Sequence, residues 1–496
     1  MATLTFRAVP LVVLTCAVAG AQANAIRTVS VRIDSRDSIL IEPGFAGYNN
    51  ALNNYAIRYD DPRLASAARA LNAGWLRFPA GLRSSAFDWR SGQSPQVWVE
   101  AFKGSRFQEG FQDARDLLAA KGGERIDDAA VLGRRIGSQG LIVCVNVFTD
   151  TPASAREYAA YAATHGIHVL AWQLGNEPTF FPGFFRNAGE YAEKVRPFAE
   201  AIRAVDPSAT IALSLSVAGI PDAGWDEALA AVRPRYWDAV YYHHYPQMSG
   251  PITALMPWLN AILATKTDDY VRGHVHGLFG EVPVLVTEAD PGLAADPESA
   301  VGTLYGGIWA AEFALRLSTV PQVKHVGMHQ LVGPAGIDLT TSHHGEVISA
   351  FKSGRPVNPD SMDFGLFLSA QGLAYSIAAG VINSASVSFA TSVSGSDLLS
   401  LRPSKTFAPA IYGRAYRAGV TTSLVLTNKG ERPAHVEIVY DDVVVHANFR
   451  ITTVTGPAPH ARNALHNTPV RSTESTTTGL ITVQPYSVTR VSWTSY

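Results

Sequence analysis

Two glutamates stand where apolar, strand-like runs meet turn residues. His168-Val169-Leu170-Ala171-Trp172 is short and apolar, and Gly175 and Pro178 break the continuation Gln173-Leu174-Gly175-Asn176-Glu177-Pro178. Val282 to Thr287 repeats the layout, with Glu288 at its end and Asp290-Pro291-Gly292 as its stop. A carboxylate where a strand meets a loop is poorly placed to serve a core and well placed to serve a cleft. Two of them, at the carboxyl ends of buried parallel strands, supply what cleavage of a glycosidic bond needs: one proton donor and one nucleophile or base. The plainer alternative is a pair of ordinary strand-end charges.

The other strand ends carry a coherent polar set. Asn49 and Asn50 close the first, Arg77 lies in the second, and Asn176 flanks Glu177 in the fourth. His243-His244-Tyr245 closes the sixth and His329-Gln330 the eighth. To attack an anomeric carbon, Glu288 must stay ionised; Arg77 and the Tyr245 hydroxyl could hold its pKa down. Glu177 must start protonated and act later as a base, which calls for a raised pKa from burial and from the Glu288 charge. Asn176 could hold a sugar 2-hydroxyl, a bond that strengthens in the transition state. Successive strand residues face opposite ways, so His243 travels with Tyr245 and His244 belongs to the core. Arg77 could equally serve to neutralise buried charge. Asp290 reads as a loop or helix-start residue.

Competing chemistry finds little support. Adjacent histidines on a strand chelate poorly, and no HExxH or paired CxxC accompanies them. Neither metal nor cofactor is expected. There is no G-x-S-x-G elbow, no Walker A loop and no G-x-G-x-x-G after the first strand.

Eight segments read as the strands that position these residues: 45–49, 75–78, 141–148, 169–174, 210–215, 239–245, 282–287 and 325–330. Helical patterns separate them, and Asp61-Pro62 and Thr151-Pro152 are helix starts with proline in the first turn. Eight strands alternating with helices predict an α/β fold, a (β/α)8 TIM barrel over residues 41–365. The segment 95–123 reads as a long loop carrying a helix over the second strand. After about residue 370 the pattern changes to strand after strand, predicting a C-terminal antiparallel β-sandwich over 366–496. Residues 26–40 alternate like a strand and are expected to join that sandwich. The Ser/Thr-rich stretch 471–479 reads as a loop.

Residues 1–25 read as a signal peptide: Arg7, an apolar run from Val9 to Ala19 too short to span a bilayer, and small residues at Ala23 and Ala25. A secreted or periplasmic protein follows. Without that leader one cysteine, Cys144, remains, so no intrachain disulfide can form and stability must come from the core. The net charge of −2 gives no reason to expect nucleic acid or an anionic membrane as partner.

These motifs resemble the retaining (β/α)8-clan glycoside hydrolases with paired glutamates, and within them the heparanase and β-glucuronidase family, family 79. Trp172 to Pro178 with Phe181 is similar to the W-x-L-G-N-E-P signature around the acid/base. Leu76-Arg77-Phe78, His243-His244-Tyr245, Met328-His329-Gln330 and Pro485-Tyr486-Ser487-Val488 are similar to further family segments. The resemblance implies Glu177 as acid/base, Glu288 as nucleophile, Asn176 on the 2-hydroxyl and Tyr245 against the nucleophile. Two departures stand out. The family grips a uronate with a glycine-rich loop after the nucleophile, where this chain has Asp290 to Ala295 with one glycine. The family also uses a tyrosine after the eighth strand, where this chain places Asp338, whose charge would repel a uronate.

The expectation is a cofactor-free retaining β-glycoside hydrolase acting on carbohydrate. Glu177 and Glu288 would be catalytic, and Asn176, Tyr245, His243, Arg77, Gln330 and Asn49 would bind substrate. A glucuronate-containing glycoside is the first substrate reading. The alternatives are a neutral β-xyloside or arabinofuranoside, or a catalytically silent carbohydrate-binding protein.

Overall fold

The computed structural model describes residues 26–50, 52–218, 224–246, 250–292 and 298–494. The expected leader at 1–25 and Leu293 to Ala295 of the loop after Glu288 lie outside the described residues.

Strand β1 (Arg27–Leu40) precedes eight parallel strands: β2 (Ala46–Asn49), β3 (Trp75–Phe78), β4 (Gly140–Val145), β5 (Val169–Leu174), β6 (Ile211–Ser214), β7 (Ala239–His244), β8 (Val284–Ala289) and β9 (Val323–His329). These eight pair in chain order, and β9 returns to β2, with His329 opposite Asn49, to close a barrel. Each of the eight expected segments is a strand here. Ala171, Ala212, Ala239, Tyr241 and Leu285 form one small cluster inside it. The remaining apolar side chains of the strands pack outward on helices. Those helices start as their sequence dictates: Asp61 accepts from the Arg63 amide ahead of Pro62–Arg69, and Thr151 accepts from Ser154 ahead of Pro152–Thr164. Helix Leu304–Leu317 is buried almost all round, because the barrel lies on one side of it and the β domain on the other.

After the barrel come β10 (Ile337–Leu339) and β11 (Leu366–Leu368), paired with each other. The C-terminal strands are β12 (Val387–Ser394), β13 (Leu398–Ser400), β14 (Phe407–Pro409), β15 (Ile411–Ala418), β16 (Thr421–Asn428), β17 (Ala434–Tyr440), β18 (Val443–Val444), β19 (Phe449–Thr455), β20 (Arg471–Thr477), β21 (Ile481–Val483) and β22 (Ser487–Thr494). They form one sheet in the order β18-β17-β1-β12-β15-β16-β22-β19-β20, with β21 on β17 and with β13 and β14 apart as a hairpin. The sheet curls until its ends face each other. Val29, Val31 and Ile33 of β1 share a core with Leu424, Leu426, Val491 and Trp493. β1 runs antiparallel to β12 and parallel to β17, so the first described strand belongs to the last domain.

Two boundaries differ from the sequence reading. Residues 370–384, assigned to the sandwich, form helix Ala370–Ser384, packed on helix Leu304–Leu317 as part of the barrel's outer ring. Its alanine- and glycine-rich face permits that close approach: a Cβ on Gly307 would meet the Ala374 methyl at 2.6 Å. The Ser/Thr-rich stretch is strand β20, not a loop. It lies at the sheet edge and is exposed along nearly its whole length, where polar residues protect an open edge and no apolar alternation is needed.

Candidate active site

The barrel's carboxyl end is where the paired carboxylates meet. Glu177 follows β5 with φ 45°, in the left-handed region, between Gly175 at φ 84° and a short 3-10 turn Pro178–Phe180. A non-glycine residue held there aims its side chain where a regular strand would not. Glu288 lies in β8 at a bulge. Val286 pairs with Tyr242, but Glu288 pairs with His243, leaving Thr287 as the extra residue. Bulges re-aim side chains beside functional sites, and here Thr287 and Glu288 both reach His243.

The contacts are dense. His243 Nδ1 lies 2.8 Å from Glu177 Oε1 and 3.6 Å from Glu288 Oε2, while Nε2 lies 3.1 Å from the Thr287 hydroxyl. Donor atoms of Glu177, His243 and Glu288 all fall within 4.8 Å of one another. The Tyr245 hydroxyl donates to Glu288 Oε2 at 2.6 Å, and Arg77 Nη1 donates to Glu288 Oε1 at 2.5 Å. Arg77, fully buried, also donates to Asn49 Oδ1 at 3.0 Å, Gln173 Oε1 at 2.8 Å and Asn176 Oδ1 at 2.6 Å. Arg77 thus neutralises buried charge and binds the Glu288 carboxylate at once.

Burial works to raise the Glu288 carboxyl. The imidazoles of His243 and His329, the Arg77 guanidinium and the Tyr245 hydroxyl outweigh it and hold that pKa at about 2. Burial in turn pushes the His329 imidazole down, against the pull of Glu288, whereas the Arg77 guanidinium on the other Glu288 oxygen stays charged at any physiological pH. Glu177, His243 and Glu288 could in principle converge on a metal ion. Both Glu288 oxygens are already bonded, however, and the fixed Arg77 charge opposes a dication at that spot.

The structure gathers Glu177, Glu288, His243, Tyr245, Arg77, Asn176 and Asn49 into one network. Asn176 lies beside Glu177, its amide 3.4 Å from Oε2. Gln330 falls outside that network. His329 faces Glu288, and the next residue turns away to donate to the Tyr55 hydroxyl at 3.2 Å and accept from Asn54 at 3.4 Å. His244 packs against the stacked pair Trp309 and Phe313, and burial lowers its pKa to about 4. Asp290 is fully buried, holds Gln371 at 2.6 Å, and is pushed well up by burial. Cys144 is buried yet lies 3.6 Å from Arg77 and 3.3 Å from the Ser84 hydroxyl, a more polar setting than a plain core thiol. Thr287 and Gln173 were missed by sequence reasoning, although a glutamine inside an apolar barrel strand is itself a signal.

The pair opens on a cleft of about 470 Å³, within the usual range for ligand sites. Tyr245, His329 and Phe180 line it with the two glutamates, and Arg83, Arg106, Phe107 and Asn54 form its far wall. Arg106 and Phe107 come from the segment over the second strand, which folds as helices Gln96–Glu100 and Gln108–Ala120 around an aromatic cluster of Phe102, Phe111 and Phe181, while Arg83 and Asn54 come from the short turns Leu82–Ala86 and Leu52–Asn54.

Scans against family models and curated proteins find no match. Solved structures do match. A family 51 arabinofuranosidase from Xanthomonas axonopodis pv. citri superposes with a TM-score of 0.69 at 14% identity, covering 94% of this chain and all of that one. A family 51 α-L-arabinofuranosidase from Bifidobacterium longum gives 0.69 at 16% identity, covering 95% of this chain and 100% of that chain. A family 44 xyloglucanase from Paenibacillus polymyxa gives 0.58 at 12% identity, covering 95% of this chain and 100% of its own. At these identities the likeness establishes the fold: a TIM barrel followed by a β-rich C-terminal domain.

Proposed function

We propose that this chain is a retaining glycoside hydrolase working by double displacement, with Glu288 as nucleophile and Glu177 as acid/base. The observation that carries this reading is the spacing of Glu177, His243 and Glu288, whose donor atoms lie within 4.8 Å of one another. Retaining enzymes hold their carboxyl groups about 5–5.5 Å apart, whereas inverting enzymes leave room for a water at about 6.5–9.5 Å. Glu288 attacks the anomeric carbon and forms a glycosyl ester, while Glu177 gives its proton to the departing oxygen. Water then attacks the ester, with Glu177 taking a proton back.

The surroundings suit these roles. Arg77 and Tyr245 keep Glu288 anionic until it bonds carbon. With the His243 Nε2 proton on Thr287, Nδ1 is free to accept from a protonated Glu177; the other tautomer donates to the carboxylate once the proton has left. Both tautomers fit the same heavy-atom positions. An open cleft over two carboxylates also speaks against a silent binding protein.

For the glycone, the family 51 neighbours named as arabinofuranosidases support an arabinofuranoside-type neutral sugar. A glucuronide is the second reading, supported by the motifs around Glu177 and His243 to Tyr245. Asp338, the departure that weighs against it, does not line the cleft.

Chromogenic glycosides of arabinofuranose, xylose and glucuronate test the sugar, and NMR of the first-formed product tests the mechanism. Turnover of the arabinofuranoside with retained anomeric configuration is expected. An inverted first product would refute the double displacement.

A further inference from the structure

Two arginines in the cleft have no part in the chemistry described above. Arg106 is exposed and lies over two rings, its guanidinium carbon 4.6 Å from the Phe107 centroid and 4.9 Å from that of Phe180. Among the described residues it makes no hydrogen bond and no ion pair. Arg83 is anchored from behind: Nε donates to the Gly110 carbonyl at 3.1 Å, and Nη1 to the Asn53 carbonyl at 3.4 Å and to the Asn54 side chain. Its Nη2 has no hydrogen-bond partner among the described residues. No carboxylate lies within ion-pair distance of Arg83 there; Asp113, whose charge it feels, turns toward His344 at 3.9 Å.

An arginine held by ring faces keeps its planar fork of donors oriented and unspent, at little further entropy loss on binding. A half-buried arginine with an unused Nη2 presents the same fork from the adjoining wall. Both face the space that contains Glu177 and Glu288. The space does not end there. A second cavity of about 390 Å³ shares Leu82, Arg83, Arg106 and Phe107 with the first, and Glu109 and Asp113 line its far part. The groove therefore runs past the arginines, long enough for more than one sugar.

Phe180 also fixes the side. It lies in the turn that follows Glu177, so a ring resting against the Phe107–Phe180 pair sits on the flank of the acid/base, where the leaving group departs.

We infer that Arg83, Arg106 and the Phe107–Phe180 pair form a leaving-group subsite for an acidic sugar, whose carboxylate or sulfate ester the two guanidinium groups bind. The inference rests on the glycosidase reading and deepens it: the charge recognised lies on the sugar that leaves, not on the one transferred to Glu288.

The test uses disaccharide substrates with one glycone, the arabinofuranoside or the best chromogenic hit, and a leaving sugar that is neutral, a uronate, or a sulfate ester. The ratio of kcat/KM for acidic over neutral leaving sugars should be about tenfold or more, as charge-assisted bonds warrant. That ratio should collapse in Arg106→Ala, and in Arg83→Gln as the second variant, and fall with added salt. The uronate and sulfate arms show which oxyanion is preferred. Calorimetric titration of the acidic leaving sugar alone into Glu288→Gln protein reads the subsite without hydrolysis. Binding that vanishes in the Arg106→Ala background sustains the inference even if no glycoside is cleaved. Ratios near one in the wild type, an unchanged ratio in both variants, or a preference that follows charge on the glycone would overturn it.

Discussion

The molecule buries charge in two places, and they behave as opposites. At the domain seam, Glu312 of helix Leu304–Leu317 is fully buried and its bonds are complete. Lys429 and the Thr427 hydroxyl hold Oε2, and Arg316 holds Oε1 at 2.9 Å. Burial works against that carboxylate, and its two cations bring its pKa below the ordinary value all the same. At the mouth of the barrel, Glu288 is nearly as deeply buried and also held by an arginine, yet it borders an open cleft beside a second carboxylate. Burial and ion pairing therefore do not mark a site. What marks it is a charge whose surroundings are complete on one side and open on the other.

The largest effect should come from removing the open-sided charge. Glu288→Gln keeps the shape but cannot form the ester, and kcat should fall by about 10^4-fold with folding intact. Steady-state kinetics with circular dichroism checks both; a variant retaining most of its activity would break the comparison. Next, Lys429→Met strands the buried Glu312 carboxylate beside Arg316 alone. Stability should drop by about 3–5 kcal/mol in urea unfolding, while kcat/KM per folded molecule stays unchanged. Equal loss of activity would mean the seam and the site are one unit. The smallest effect concerns a third buried group, His244. Its imidazole is held at about 4 in the folded chain against 6.5 when free. The unfolded chain thus takes up a proton that the folded chain refuses. The His244 contribution is full above about pH 6.5 and fades as the pH falls toward 4, by about 3 kcal/mol. Urea unfolding at pH 7 and pH 4 should show a smaller acid loss in His244→Phe. An identical loss would place acid sensitivity elsewhere, His325 at about 3 being the next candidate.

The barrel was legible because its strands are buried on both faces and read as short apolar runs between helix signals. The paired glutamates were legible because charge at the end of such a run has few structural uses. Strand parity then separated His243 from His244. Gln330 lies just past the end of β9, beyond the reach of strand parity, and its amide goes to Tyr55 and Asn54. The two C-terminal differences have separate causes. Helix Ala370–Ser384 is so rich in small residues that its apolar stripe is indistinct, and β20 is an edge strand whose polarity mimics a loop. The arginines of the cleft wall carried no periodic signal at all. Arg106 gains its meaning only when Phe107 and Phe180, 73 positions apart (180 − 107), are brought under it.

Because β1 finds its partners in β12 and β17, the ribosome releases the first of these strands long before its neighbours exist. Val29, Val31 and Ile33 must wait in solvent until residue 387 and beyond emerge. The barrel is in effect threaded into a domain that begins before it and ends after it. Trimming the C-terminal strands would not liberate an independent barrel; it would leave β1 as a bare apolar edge seeking another chain.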